Sequence, residues 1–267
     1  MFDRQSIHIA MLLWGCVFSL MAAFCTGFMA FGPKKRRWML AMQLSSAVLL
    51  FNDALAWAYR GSGGAAGWWM VRISNFLVFA FSDIVLLLFH GYVCCYLFGD
   101  TPASQQPRRV KVGYAAALVG VALVVLSQFT GLYYTFDAQN FYHRTAWYPL
   151  SLAVPMIGML LDCSLLVQYR KNLTRPLYYA MLSYIALPFL GAVALLFYYG
   201  ISLVNIAIAI SMILIFVTSV VEQSREMARQ SEELAEKRIS LMLSQMQPHF
   251  MYNVLNSIYA LCSRDPE

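Results

Sequence analysis

Seven long apolar runs separated by short polar connections dominate the pattern of this chain, at residues 7–31, 38–59, 69–98, 110–130, 148–168, 177–198 and 201–221. Each is close to or beyond the roughly 20 apolar residues that cross a hydrocarbon core as a helix. The pattern therefore predicts an all-α membrane protein, a seven-helix transmembrane bundle over residues 1–221. After the seventh run the pattern changes sharply. No glutamate precedes position 222, yet Glu222, Glu226, Glu232, Glu233 and Glu236 follow within fifteen residues. Neither Gly nor Pro interrupts the chain from the seventh run to Gln247. A soluble juxtamembrane helix is expected over 222–244, with a further segment at 245–267. No internal repeat is evident, and no inverted symmetry of broken helices such as transporters often carry.

Composition agrees with the pattern. Hydrophobic residues make up 60% of the chain and charged residues 12%, against about half and about a quarter in soluble domains. A soluble fold of this size would lack the polar surface to cover its core, so a soluble enzyme is excluded. The net charge of +6 arises from 19 Lys and Arg against 13 Asp and Glu, a balance that suggests nucleic acid until the charges are located. Lys34, Lys35, Arg36 and Arg37 follow the first run, Arg108, Arg109 and Lys111 the third, and Arg170, Lys171 and Arg175 the fifth. The alternate connections carry little positive charge. The positive-inside rule then predicts an outer N-terminus and a cytoplasmic C-terminus, with 15 of the 19 basic residues inside. No direct contact with nucleic acid is expected; lipid is the partner of most of this surface. The first run is preceded by little charge and is too long for a cleaved leader, so it is expected to be retained. Five of the six cysteines fall in apolar runs and Cys262 in the tail, which implies no disulfide framework.

The longest outer connection, Gly131 to Tyr148, holds two aromatic-rich stretches, Leu132–Phe136 and Phe141–Thr145, around Asp137-Ala138-Gln139-Asn140. An outer β-hairpin is predicted. Two readings fit it: an interfacial aromatic belt, or a lid over a small-ligand pocket in which Arg144 and His143 take part. Inside the runs lie Asp53, Asp83 and Asp162, with Arg72 just inside the third. Such groups are costly in a membrane and face a partner or a cavity. At about 1.5 Å rise per residue, Asp53 and Arg72 come to comparable depth, so contact between them is expected. Asp83 and Asp162 come out nearer the inner side, where they would share a polar site. These residues either fix helix packing or sense and relay a stimulus. A third reading, a transporter or channel, would rest on the same three aspartates. A retinal pigment is excluded, because it needs a lysine in the last span and all five lysines, at 34, 35, 111, 171 and 237, lie outside the runs.

In the tail, Val220, Met227, Leu234 and Leu241 recur every seven residues, whereas the alternate seam positions are Ser224, Ser231, Arg238 and Gln245. Half a coiled-coil seam results. Either a weak dimerisation helix or an ordinary juxtamembrane helix would read this way. Next comes Gln247-Pro248-His249-Phe250-Met251-Tyr252-Asn253-Val254-Leu255-Asn256-Ser257-Ile258. Pro248 removes a backbone donor and predicts a kink before His249. Gln245 and Asn253 lie one turn either side of His249 on its face, while Leu243, Met246, Phe250, Val254, Ile258 and Leu261 form an apolar stripe. An imidazole among neutral polar groups is largely unprotonated at neutral pH, with an ordinary pKa of about 6.5. Its free nitrogen is then a nucleophile toward phosphorus.

Gln-Pro-His-Phe-x-x-Asn-x-Leu-Asn-Ser-Ile resembles the phosphoacceptor segment of LytS-type sensor histidine kinases, over roughly residues 238–267. The resemblance implies that 245–267 begins a dimerisation and phosphoacceptor domain. It further implies that His249 accepts the γ-phosphate of ATP with Asn253 in support, and that phosphate passes to an aspartate of a LytTR-type response regulator. The chain would be a homodimer in a bacterial cell membrane, sensing an unknown ligand or intramembrane stimulus. Phe250 stands where many histidine kinases have an acidic residue, so no general base is identified. The sequence stops at Glu267, before the family's ATP-binding half. No cofactor is therefore expected on this chain, which is not expected to be active alone; ATP and Mg2+ belong to the missing catalytic domain. No metal site is expected either. The alternative is a non-catalytic membrane receptor or dimerising regulator.

Overall fold

The computed structural model describes residues 4–99, 101–102, 104–194 and 202–263, and their side chains except at 245–249. Seven helices, α1 Arg4–Phe28, α2 Pro33–Ala58, α3 Gly64–Phe98, α4 Arg108–Thr130, α5 Leu150–Gln168, α6 Arg175–Ala194 and α7 Leu203–Cys262, account for nearly all of it. Each is long and apolar enough to cross a membrane. Their bounds follow the apolar runs to within a few residues, except that α7 continues far beyond its run. The chain divides into two compact units, Met1–Ser219 and Val220–Glu267.

In the first unit the neighbours are α1 with α2, α2 with α3, α3 with α4 and α5, α4 with α5, and α5 with α6. The start of α7 is tied to several of these. Ala209 packs with Leu12 and Cys16 of α1 and Ala47 and Leu50 of α2. Tyr92 Oη lies 2.7 Å from Ser219 Oγ, and the Ser211 hydroxyl donates to the Ser183 carbonyl on α6 at 3.0 Å. Much apolar surface elsewhere is uncovered, including Trp14, Phe24, Phe129 and Leu160. Such a surface suits lipid and would be unstable in water.

Helix ends fall where the backbone demands. Pro33 opens α2, where its missing N–H costs nothing. Gly131, in the left-handed conformation, closes α4 and donates to the Ser127 carbonyl. Just past it lies the one sheet among the described residues, the hairpin β1 Tyr134–Phe136 and β2 Tyr142–Arg144, paired Tyr134 to Arg144 and Phe136 to Tyr142. Asp137 shapes the turn. One carboxylate oxygen accepts from the Gln139 and Phe141 amides at 3.0 and 2.8 Å, and the other lies 2.8 Å from His143 Nε2. The hairpin is folded onto the bundle. Tyr134 stacks on Phe79 of α3 at 5.0 Å, and Tyr133 and Tyr134 are buried against Ala80 and Val124.

These turn bonds set a pH dependence. The His143 hydrogen bond, followed by the Phe141 amide, holds the Asp137 carboxyl below its ordinary value of 3.8. A carboxylate with a lowered folded pKa stabilises above the unfolded value and stops doing so as pH falls through the folded one. Hydrogen exchange at the Gln139 and Phe141 amides should therefore accelerate, relative to bundle amides, as pH drops from about 5 to about 2.5. In Asp137→Ala the same amides should exchange fast throughout. A wild-type turn equally protected at both extremes would contradict this account.

Close approach of α4 to α3 relies on two glycines. A Cβ at position 120 would sit 2.8 Å from Asp83 Oδ2, and one at position 113 would overlap the His90 ring. Gly120→Ala should thus cost about 1–3 kcal/mol through overpacking. Gly27→Ala, where nothing lies within 4 Å, should be neutral or slightly stabilising in the same thermal-unfolding assay. Equal behaviour of the two would refute the close-packing argument.

In the second unit α7 carries on through Pro248, so that proline does not end the helix. Met227, Leu234 and Leu241 of the seven-residue repeat are exposed, as are Phe250, Ile258 and Leu261 of the apolar stripe, while Val254 is half-buried. Arg229 pairs with Glu226 at 3.0 Å and more loosely with Glu233 at 3.9 Å. These exposed pairs contribute little.

Candidate functional site

Polar residues buried among the first unit's helices gather in two places. At the end of the bundle that carries the hairpin, Asp53 is 4% exposed. It accepts from Asn205 Nδ2 at 2.7 Å and from the Ser202 hydroxyl at 3.1 Å. The Ser202 hydroxyl in turn accepts from Trp57 Nε1 at 3.3 Å, and the Ser202 amide donates to His8 Nε2 at 3.2 Å. With Nε2 as acceptor, the neutral His8 ring carries its hydrogen on Nδ1, a buried atom with no partner among the described residues. The first turns of α1 and α7 are thus fastened around the Asp53 carboxylate of α2.

The expected contact between Asp53 and Arg72 is not formed. Arg72 instead donates to Asn140 Oδ1 at 2.9 Å and lies 4.1 Å from the centre of the Trp68 ring. Asn140, at φ 62°, passes the connection onward through its amide to the Ser62 carbonyl at 3.0 Å. Arg72 is therefore a clamp that binds the hairpin to the α2–α3 connection. Gly61 in that connection has φ +73°, and a Cβ there would strike the Phe141 ring at 2.6 Å. Only glycine meets both demands.

No hydrogen bond joins Asp83 to Asp162 among the described residues. Asp162 is fully buried, with its Oδ1 2.5 Å from His90 Nδ1, while Asp83 packs against the bare backbone at Gly120. His90 Nε2 is 2.9 Å from the Val110 carbonyl. A carbonyl only accepts, so Nε2 carries a hydrogen, and one further proton is shared between Nδ1 and the carboxylate. This cluster joins α3, α4 and α5. The Arg109 guanidinium adds hydrogen bonds to Ser164 and Gln168 on α5.

Between the hairpin and the Asp53 cluster lies a cavity of about 250 Å³. Among its described lining residues are Trp57, Phe79, Tyr142, Tyr148 and Tyr184 as aromatic walls, and Asn75, Ser82 and Asn205 as neutral polar groups. Its charged residues are Asp53, Arg60 and Arg144. The hairpin does more than belt the interface: Tyr142 and Arg144 form part of this wall, and Arg144 lies 4.2 Å from the centre of the Tyr148 ring. Arg60 sits over Trp57 and Phe141 at 5.3 and 5.7 Å. Tyr184 is completely buried, stacked on Phe89 at 3.9 Å, and its hydroxyl has no hydrogen-bond partner among the described residues. Among the described residues, no group of His, Cys, Asp or Glu is placed to hold a metal ion.

His249 lies on the helical backbone of α7, but its side chain is outside the described residues, as are those of Gln245, Met246, Gln247 and Pro248. Asn253 is exposed, and its carbonyl accepts from the Ser257 hydroxyl at 2.8 Å. This stretch was compared with known proteins. Residues 237–267 match the family model of histidine kinase. That match covers the tail and leaves the seven-helix region unassigned. No curated protein and no solved structure matches the chain.

Sequence reasoning found Asp53, Asp83, Asp162, Arg72 and Arg144 but missed His8, His90, Tyr184, Ser202 and Asn205. The usable signal was polarity alone: His8, His90 and Asn205 each interrupt an apolar run, and a polar residue at membrane depth asks for a partner whether or not it is charged.

Proposed function

We propose that this chain is the membrane sensor and phosphoacceptor part of a LytS-type histidine kinase. The observation that carries the reading is the histidine-kinase match at 237–267 in a chain with seven helices suited to crossing a membrane. In this reading the N-terminus and hairpin face outward, and the basic connections and the tail face the cytoplasm of a bacterial cell. A stimulus is received in the cavity at the hairpin end. It acts on Asp53, whose partners Ser202 and Asn205 lie at the start of α7, the helix that carries the tail segment. The tail pairs with that of a second copy, burying the exposed apolar stripe.

His249 then attacks the γ-phosphorus of ATP presented by an ATP-binding domain with its Mg2+. A P–N bond forms, ADP leaves, and the phosphoryl group passes to an aspartate of a LytTR-type regulator. Asn253 orients the imidazole or the phosphate. The reading is tested by incubating membranes of this chain with a separately made histidine-kinase ATP-binding domain, γ-labelled ATP and a receiver domain. Acid-labile, alkali-stable label on the chain, chased onto the receiver, is expected. A chain that takes no such label would sink this reading and favour a non-catalytic receptor.

A further inference from the structure

We infer that the cavity beneath the hairpin binds a small zwitterion with an aromatic or apolar body, its ammonium group at Asp53 and its anionic group at Arg60 and Arg144. This inference rests on the sensor reading above and names the class of its stimulus. Three features of the site carry it.

First, the cavity is lined by charges of both signs, Asp53 against Arg60 and Arg144. Asp53 is buried and bonded only to neutral groups, and among the described residues no cation lies within ion-pair range of it. Arg60 lies two residues beyond the end of α2, past the turns of helix that follow Asp53. A bare carboxylate in such surroundings is costly, and an ammonium group that replaces lost water is its natural counter-charge. Arg60 and Arg144 stand at the hairpin end with their guanidinium groups on aromatic faces, an arrangement that orients a planar fork toward a carboxylate or phosphate.

Second, Tyr184 is among the residues lining the cavity, and its hydroxyl is a buried donor with no hydrogen-bond partner among the described residues. Leaving it so costs about 1–3 kcal/mol, which an acceptor on a bound solute recovers once the wall opens to admit it. Third, the volume is about that of eight waters, enough for a solute of amino-acid to dipeptide size, and Trp57 and Phe79 offer faces for an apolar side chain. An ammonium joined by a short link to an anion is also the headgroup of phosphatidylethanolamine, so the experiment must separate a free solute from a lipid.

The full chain is reconstituted in nanodiscs of phosphatidylglycerol alone and titrated calorimetrically with phenylalanine, Phe-Gly and Gly-Phe. N-acetyl and C-terminal amide forms of each serve as probes of the two charges. At least one zwitterion should bind saturably, and blocking either end should weaken it by about 30-fold or more. Asp53→Asn should weaken the zwitterion and leave the N-acetyl form unchanged. Arg60→Gln, at the exposed helix end, should weaken it and leave the amide unchanged. Tyr184→Phe should bind the zwitterion more weakly while unfolding at a higher temperature when empty. Adding phosphatidylethanolamine assigns the site to the headgroup if it competes and to a free solute if it does not. The proposal is overturned if neither the three zwitterions nor that lipid binds, or if free, acetylated and amidated forms bind alike. It is also overturned if the substitutions shift all forms equally. Binding with the expected charge dependence, but without effect on His249 labelling, would instead sink the sensor reading and leave the site intact.

Discussion

His249→Gln is expected to lower phosphoryl labelling of the chain by more than about 100-fold when an ATP-binding domain and labelled ATP are supplied. Glutamine approximates the size of imidazole and can hydrogen-bond, but it offers no nitrogen lone pair capable of attacking phosphorus. Asn253 is placed one turn from His249 on the same helix face. Asn253→Ala should therefore leave the nucleophile intact and cost roughly 10- to 100-fold, by loosening its orientation. Neutral imidazole is the reactive form, so labelling should fall as the medium is made acidic. Removal of His143, the exposed hairpin histidine, should not alter it. Undiminished label on His249→Gln would transfer the acceptor role to another residue and remove the chemistry from the reading.

The second large effect concerns stability. Asp162→Leu should destabilise the bundle by about 3–5 kcal/mol, because the buried His90 Nδ1 loses its partner. His90→Leu should cost a similar amount by stranding Asp162, whose Oδ2 already lacks a hydrogen bond among the described residues. Combining the two substitutions should restore most of the loss, since two leucines at a helix contact need no polar partner. Asp162→Asn, which keeps an acceptor for the ring, should be the mildest single change. A double-mutant cycle of detergent-unfolding free energies measures the coupling. Additive single losses would show that His90 and Asp162 act independently, contrary to their 2.5 Å separation.

The contrast between Asp162 and Asp53 shows what one chain of letters reveals and what it hides. Hydrophobic runs set the number and bounds of the helices, because the membrane requires about 20 apolar residues whatever the neighbours. The same count placed Asp53 and Arg72 at one depth. It carried no information on which way each residue faces around its helix, and that decides pairing: Asp53 turns to α7 and Arg72 to the hairpin. His90 and Asn205 went unnoticed for a related reason. They carry no obligatory charge, and their partners Asp162 and Asp53 are distant in sequence. The hairpin was legible because its signal is local, two aromatic stretches around a turn that Asp137 can bond. The tail was legible because its motif is linear, whereas the cavity has contributions from scattered helices and the hairpin and no linear trace.

The seven-residue spacing of Met227, Leu234 and Leu241 carries a mechanical consequence. An α-helix has 3.6 residues per turn, so an apolar line repeating every seven slips about 20° around a straight helix at each repeat. From Val220 to Leu241 that slip accumulates to about 60°. Two straight copies laid together would touch well at only one level, and they must wind left-handedly about each other to follow the line further. Ser224, Ser231 and Arg238 on the alternate positions give little reward for winding. Such a pair would therefore be poised between a local crossing and a supercoil, and a small twist applied at one end would have two nearly equal geometries to choose from.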